Sequence, residues 1–140
     1  MISALLITDA NGFLLYDKNI NHQLKDFEPS LLSGLISSIS HIGQSIFHKN
    51  IGTVQFGNNK DPAFICILTK EIPQTKQTVH FVFFMQGRCD IVYIKKIAAG
   101  IFIEIKRSLQ AKAGSLFEIP NFQSKVDQMI EYQFYNFRAC

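Results

Sequence analysis

The chain has no tryptophan, and only three of its 140 residues are cysteine: Cys66, Cys89 and Cys140. An odd number at wide spacing fits neither a disulfide framework nor a zinc site built on paired thiolates, and it agrees with a reducing compartment. No run approaches the roughly 20 apolar residues that a membrane-crossing helix needs. Residues 1–7 are apolar but lack a basic leader and run straight into Asp9 and Asn11, which argues against a signal peptide. A cytoplasmic protein, associated with a membrane peripherally at most, is the expectation. The net charge is a modest +3 with no block of five or six Lys or Arg, so a nucleic-acid footprint is not expected. The most telling shortage is local: the stretch Pro29–Phe47 contains no Asp, Glu, Lys or Arg.

What is present is strongly apolar. Hydrophobic residues make up 47% of the chain and charged residues only 18%, with thirteen Phe, which is apolar for a soluble domain and implies that some of this surface enters an interface. A chain of this length fits one domain that buries about two-thirds of its unfolded surface. Residues 1–140 are therefore expected to form a single domain, with no internal repeat or linker.

Residues 3–8 form an apolar run, the turn chemistry of Asp9, Asn11 and Gly12 follows, and residues 13–16 resume a strand, which predicts an opening hairpin. Residues 18–28 read as a polar loop, or as a short turn of helix, leading to Pro29, which opens a helix whose apolar positions Leu32, Leu35, Ile36, Ile39, Ile42 and Ile46 recur every three or four residues. Asn50 and Gly52 are expected to stop it. Three strands are predicted next, over residues 52–56, 63–69 and 78–85, the last too apolar to face water on either side and so central to the sheet. Asp90 can cap a second helix to about residue 109, carrying Lys95, Lys96, Glu104, Lys106 and Arg107 on a solvated face. After Gly114 and Pro120, Asn121 can cap a third helix with Phe122, Val126, Met129 and Ile130 on one side. The expected fold class is α+β: a five-stranded antiparallel sheet with flanking helices in the order β-β-α-β-β-β-α-α.

With those aliphatic positions assigned to the core, the other face of the first helix reads Ser30, Ser33, Gly34, Ser37, Ser38, His41 and Ser45. An exposed helical face normally carries charge, so small uncharged residues there point to a surface that meets another protein. The competing reading is that these small residues pack inside their own chain. The interface reading is preferred, because one side of the helix is already assigned to the sheet.

The opening segment SALLITDANGFLLY over residues 3–16, the segment LLSGLISSI over 31–39 and GTVQFG over 52–57 resemble longin and roadblock domains, of an archaeal type related to the eukaryotic trafficking machinery. In both, a small hairpin precedes a long helix. Roadblock domains normally begin with a helix ahead of that hairpin and close with one helix, so the order here is more similar to longin domains. The resemblance implies a non-enzymatic, dimerising platform, as a homodimer or a heterodimer with a related domain, that binds a small GTPase or assembles trafficking complexes. It does not imply direct membrane fusion, since neither a coiled coil nor an anchor follows within the sequence.

Chemistry-bearing residues are sparse. No Gly-x-x-x-x-Gly-Lys-Ser/Thr loop is present, so any nucleotide is expected on the partner. His22, His41, His48 and His80 are scattered without metal-ligand spacing, and neither a metal nor a cofactor is expected. His80 interrupts the most apolar strand and reads as a core or sheet-end histidine held by a hydrogen bond rather than as a catalyst. Cys66 and Cys89 read as small hydrophobes and Cys140 as an unmodified tail. The basic group Lys95, Lys96, Lys106, Arg107 and Lys112 reads as a solvated helix face, with a membrane patch as the rarer alternative. The rival function is a sensor domain of the PAS or GAF kind, with Phe81, Phe83, Phe84 and Phe102 lining a ligand cavity.

Overall fold

A computed structural model describes residues 2–20, 24–73, 75–88, 90–111 and 122–136. His22, Cys89, Lys112, Gly114, Pro120, Asn121 and Cys140 lie outside the described residues. The elements are β1 (Ile2–Asp9), β2 (Leu14–Asn19), α1 (Pro29–Phe47), β3 (Thr53–Phe56), β4 (Ala63–Glu71), β5 (Thr78–Gln86), α2 (Ile91–Ala111) and α3 (Phe122–Asn136). The predicted order and class are observed. The five strands form one antiparallel sheet in the order β2-β1-β5-β4-β3.

Period-two alternation sends side chains to two different cores. From β5, Val79, Phe81, Phe83 and Met85 join Ile94, Ile97, Ile101 and Ile105 of α2 and Val126 and Ile130 of α3. From the other side of the same strand, Val82 joins Leu6, Ile67 and Ile36 of α1. The sheet is thus covered by α2 and α3 on one face and by α1 alone on the other. This explains why β5 sits in the middle and why every residue of β1 is buried: both strands meet a helix layer on either side.

Tyr16 on β2 ties the sheet to α3. Its side chain is buried, and its hydroxyl donates to Asp127 Oδ1 at 2.6 Å. Burial, followed by that hydrogen bond, pushes the phenol well above its ordinary value, so Tyr16 stays protonated and remains a donor. Asp90 caps α2 as expected, its Oδ1 accepting the Val92 N–H at 2.9 Å.

One stop signal and one boundary differ from expectation. α1 closes at Phe47 and is capped by His48, which adopts the left-handed conformation at φ 54° and donates its N–H to the Gln44 carbonyl, while Lys49 N–H reaches Gly43. Neither Asn50 nor Gly52 is the stop. β2 runs on to Asn19, whose side chain closes the following turn against both the N–H and the carbonyl of Leu24, so the expected loop begins later.

Candidate protein-interaction surface

The buried face of α1 is its small-residue face, which reverses part of the expectation. Ser33 and Ser37 point into the chain, with Ser40 and Ile36. Ser33 Oγ donates to the Gly12 carbonyl, and Ser37 Oγ donates to the Ala10 carbonyl at 2.8 Å. The partner is the β1–β2 turn, shaped by Asp9 Oδ1 accepting the N–H groups of Asn11 and Phe13 at 2.9 Å each. The approach is close enough that a Cβ on Gly12 would stand 3.3 Å from Ser37 Cβ and 3.4 Å from Gly34 Cα, with Gly12 itself at φ +86°. Small side chains at 33 and 37 let the turn seat on the helix, and only glycine fits at position 12 without strain.

The remaining expected positions, Ser30, Gly34, Ser38, His41 and Ser45, are exposed. Among them run three aliphatic side chains assigned to the core from the sequence, Leu35 at 53% exposed, Ile42 at 55% and Ile46 at 65%, together with Leu31 at 69%. At 100° per residue, Leu31, Leu35, Ser38, Ile42 and Ile46 share the side directly away from the sheet. Gly34 and Ser45 flank them, and a Cβ added to Gly34 meets nothing within 4 Å. Phe47 at the end of the helix is 66% exposed. The outer face of α1 is therefore an uncharged apolar stripe bordered by small residues.

A second unsatisfied surface lies at the sheet edge. Among the described residues β3 pairs only with β4, and its four residues, Thr53, Val54, Gln55 and Phe56, carry neither charge nor proline. The opposite edge strand, β2, carries Asp17 and Lys18 and a register irregularity next to β1, features that discourage edge-to-edge pairing. β3 has no such protection, and Phe56 at its end is 54% exposed.

Polar chemistry is confined. His80 is buried, with Nδ1 at 3.0 Å from Thr69 Oγ1, and it borders a groove of about 170 Å³ shared with His41, Ser40, Gln44 and Asn50. Burial lowers its pKa, with Asp9 opposing that shift and His41 adding to it, so the ring is held neutral. Burial raises the Cys66 thiol, keeping it an uncharged core residue. Among the described residues, no group of three or more His, Cys, Asp or Glu is arranged to hold a metal ion. Phe81 and Phe83 are core residues, Phe84 stacks edge-on against Phe27 at 5.7 Å between centroids, and Phe102 packs beside the α2 core. The rings proposed to line a sensor cavity pack into the two cores.

This arrangement is a longin-like fold: a five-stranded antiparallel sheet with one helix on one face and two on the other. Among solved structures the chain is similar to the gliding protein MglB of Thermus thermophilus, with a TM-score of 0.52 and 13% identity over 76% of each chain. Similarities also extend to Myxococcus xanthus MglB, with a TM-score of 0.49 and 13% identity over 79% of this chain and 85% of that one. A roadblock/LC7 domain from Streptomyces avermitilis gives a TM-score of 0.48 and 10% identity over 78% and 86%. The sequence matches no protein-family model and no curated protein. Among the described residues, no helix is long and apolar enough to cross a membrane.

Proposed function

We propose that the protein is a non-catalytic interaction module that pairs with a second copy of itself, or with a related domain, through the outer face of α1 and the free edge of β3. The paired unit serves as a platform for a small GTPase or a trafficking assembly, the role implied by the resemblance to longin and roadblock domains. The observation that carries this reading is the stripe Leu31, Leu35, Ile42 and Ile46, exposed on a helix with no charged residue.

Size considerations bring β3 into the surface. A 19-residue helix is about 28 Å long and about 10 Å across, so its outer side offers on the order of 300 Å² in projection. A stable interface takes about 800 Å² from each partner. The helix alone falls short. The open edge of β3, Phe56, and the partly buried Ile51, Ile65 and Phe84 around the α1 core are the available apolar supplements.

The test is solution mass over a range of concentrations for the native chain and for Gly34→Arg. A Cβ at Gly34 meets nothing within 4 Å among the described residues, and arginine is a better helix former than glycine, so the variant is expected to keep its fold. The native chain is expected to self-associate and the variant to remain monomeric at the same concentrations. A native chain that stays monomeric throughout, or a variant of unchanged mass, refutes pairing through α1. The GTPase role is tested separately, by titrating purified small GTPases from the same organism, loaded with GDP or GTP, against the native chain.

A further inference from the structure

The opposite face of the molecule carries a different surface. Around α2, Ile94, Ile97, Ala98, Ile101 and Ile105 are buried. At 100° per residue the point farthest from them falls on Val92, Ala99 and Ile103. Val92 is 51% exposed and Ile103 46%, and Ala99 is exposed between them. Lys95 and Lys106 flank this apolar line on one side, Lys96 and Arg107 on the other. Each flank also holds an aromatic ring under a lysine: the Lys106 ammonium lies 4.9 Å from the Phe102 centroid and that of Lys96 5.9 Å from Tyr93.

The acidic residues in and next to α2 are engaged elsewhere. Glu104 is directed toward α3 and pairs with Lys125 at 3.5 Å, and Asp90 caps the helix end. Among the described residues, none of Lys95, Lys96, Lys106 and Arg107 forms an ion pair. Four cations are thus arrayed along both sides of a shallow apolar ridge.

We infer that the outward face of α2 is a docking surface for an anionic lipid bilayer. A line of modest apolar side chains between two rows of cations is the arrangement of a helix lying in a membrane interface, apolar residues at the headgroup boundary and lysine stems spreading outward to lipid phosphates. Clusters of four or more Lys or Arg on an amphipathic helix recognise acidic headgroups through diffuse charge. Three of the four cations are lysines, point charges without the bidentate fork that selects individual carboxylates on a protein. Neither the groove at Gln55, Pro62 and Arg88 nor the one beside His80 is lined by these residues. This surface lies across the sheet from α1 and does not depend on pairing.

The experiment is flotation of the purified chain with vesicles of phosphatidylcholine alone and of phosphatidylcholine mixed with phosphatidylserine. Binding is expected only to the mixed vesicles, and it should weaken as salt is raised. Each cation near an anionic surface contributes about 1 kcal/mol, so the double variant Lys95→Gln/Lys96→Gln should lower the partition coefficient about 30-fold. Lys70→Gln/Lys76→Gln removes the same charge from exposed positions in and beside the β4–β5 turn and should bind as the native chain does. Equal losses in the two double variants overturn the proposal, leaving only net charge. Binding to neutral vesicles as strong as to acidic ones overturns it too, as does absence of binding to either. Capture of soluble polyglutamate without capture of acidic vesicles overturns it in favour of an acidic protein partner.

Discussion

Truncating Leu35 and Ile42 together to alanine separates pairing from folding, because both side chains are about half exposed in the single chain, at 53% and 55%. Fully burying such a side chain is worth about 1.5–3 kcal/mol, so covering the exposed half of each contributes about 1 kcal/mol. A two-fold interface uses the same patch from both partners, so each truncation counts twice. The double variant should therefore weaken the dimer by about 4 kcal/mol, roughly a thousand-fold in Kd. The monomer should change by no more than about 0.5 kcal/mol, since alanine is a better helix former than leucine or isoleucine and the surface loss is small. Sedimentation velocity over a concentration series gives the first quantity, and urea unfolding at the most dilute point gives the second. A Kd that moves less than ten-fold refutes the interface. A monomer destabilised by several kcal/mol shows instead that these side chains are buried within their own chain.

Tyr16→Phe should cost about 1–3 kcal/mol in urea unfolding, because it removes the donor at 2.6 Å from Asp127 and leaves that carboxylate without its partner between β2 and α3. Gly12→Ala combines a positive φ with a 3.3 Å approach to Ser37 Cβ and should cost about 1–3 kcal/mol in the same assay. His80 is held neutral by burial against Thr69 of β4, with Asp9 of β1 and His41 of α1 as the charged or titratable groups acting on it. Its folded pKa lies below the unfolded value of about 6.5, so as pH falls through that value the unfolded chain binds a proton that the folded chain refuses, and stability drops. Urea midpoints above and below about pH 6.5 should show this loss in the native chain and a flatter profile in His80→Gln.

Much of the fold was readable because its signals are local and redundant. Pro29 at the start of α1 and Asp90 ahead of α2 act within a turn of themselves, and the run from Val79 to Met85 is too apolar for any but a central strand. The orientation of α1 was not readable. Periodicity shows that a helix has two faces but not which one the sheet takes, and the usual rule puts the aliphatic side inward. Here the determining contact is non-local: Gly12 and the Ala10 carbonyl seat on Ser33 and Ser37, more than twenty residues away. A small-residue stripe opposite an aliphatic one, on a helix without charge, fits either orientation. The end of α1 at Phe47 was legible but its cap was not, since His48 holds a left-handed conformation usually given to glycine or asparagine.

The strand order also fixes what a dimer would look like. When two β3 edges join antiparallel, the dyad relating them stands perpendicular to the sheet, and such a rotation never exchanges the two faces. Both α1 helices then lie on one side of a continuous sheet and both α2 helices on the other. Two basic ridges in one plane would touch a bilayer together, so membrane affinity would rise with protein concentration. Weakening the dimer would then lower the affinity for lipid toward that of a single ridge without altering a single lysine.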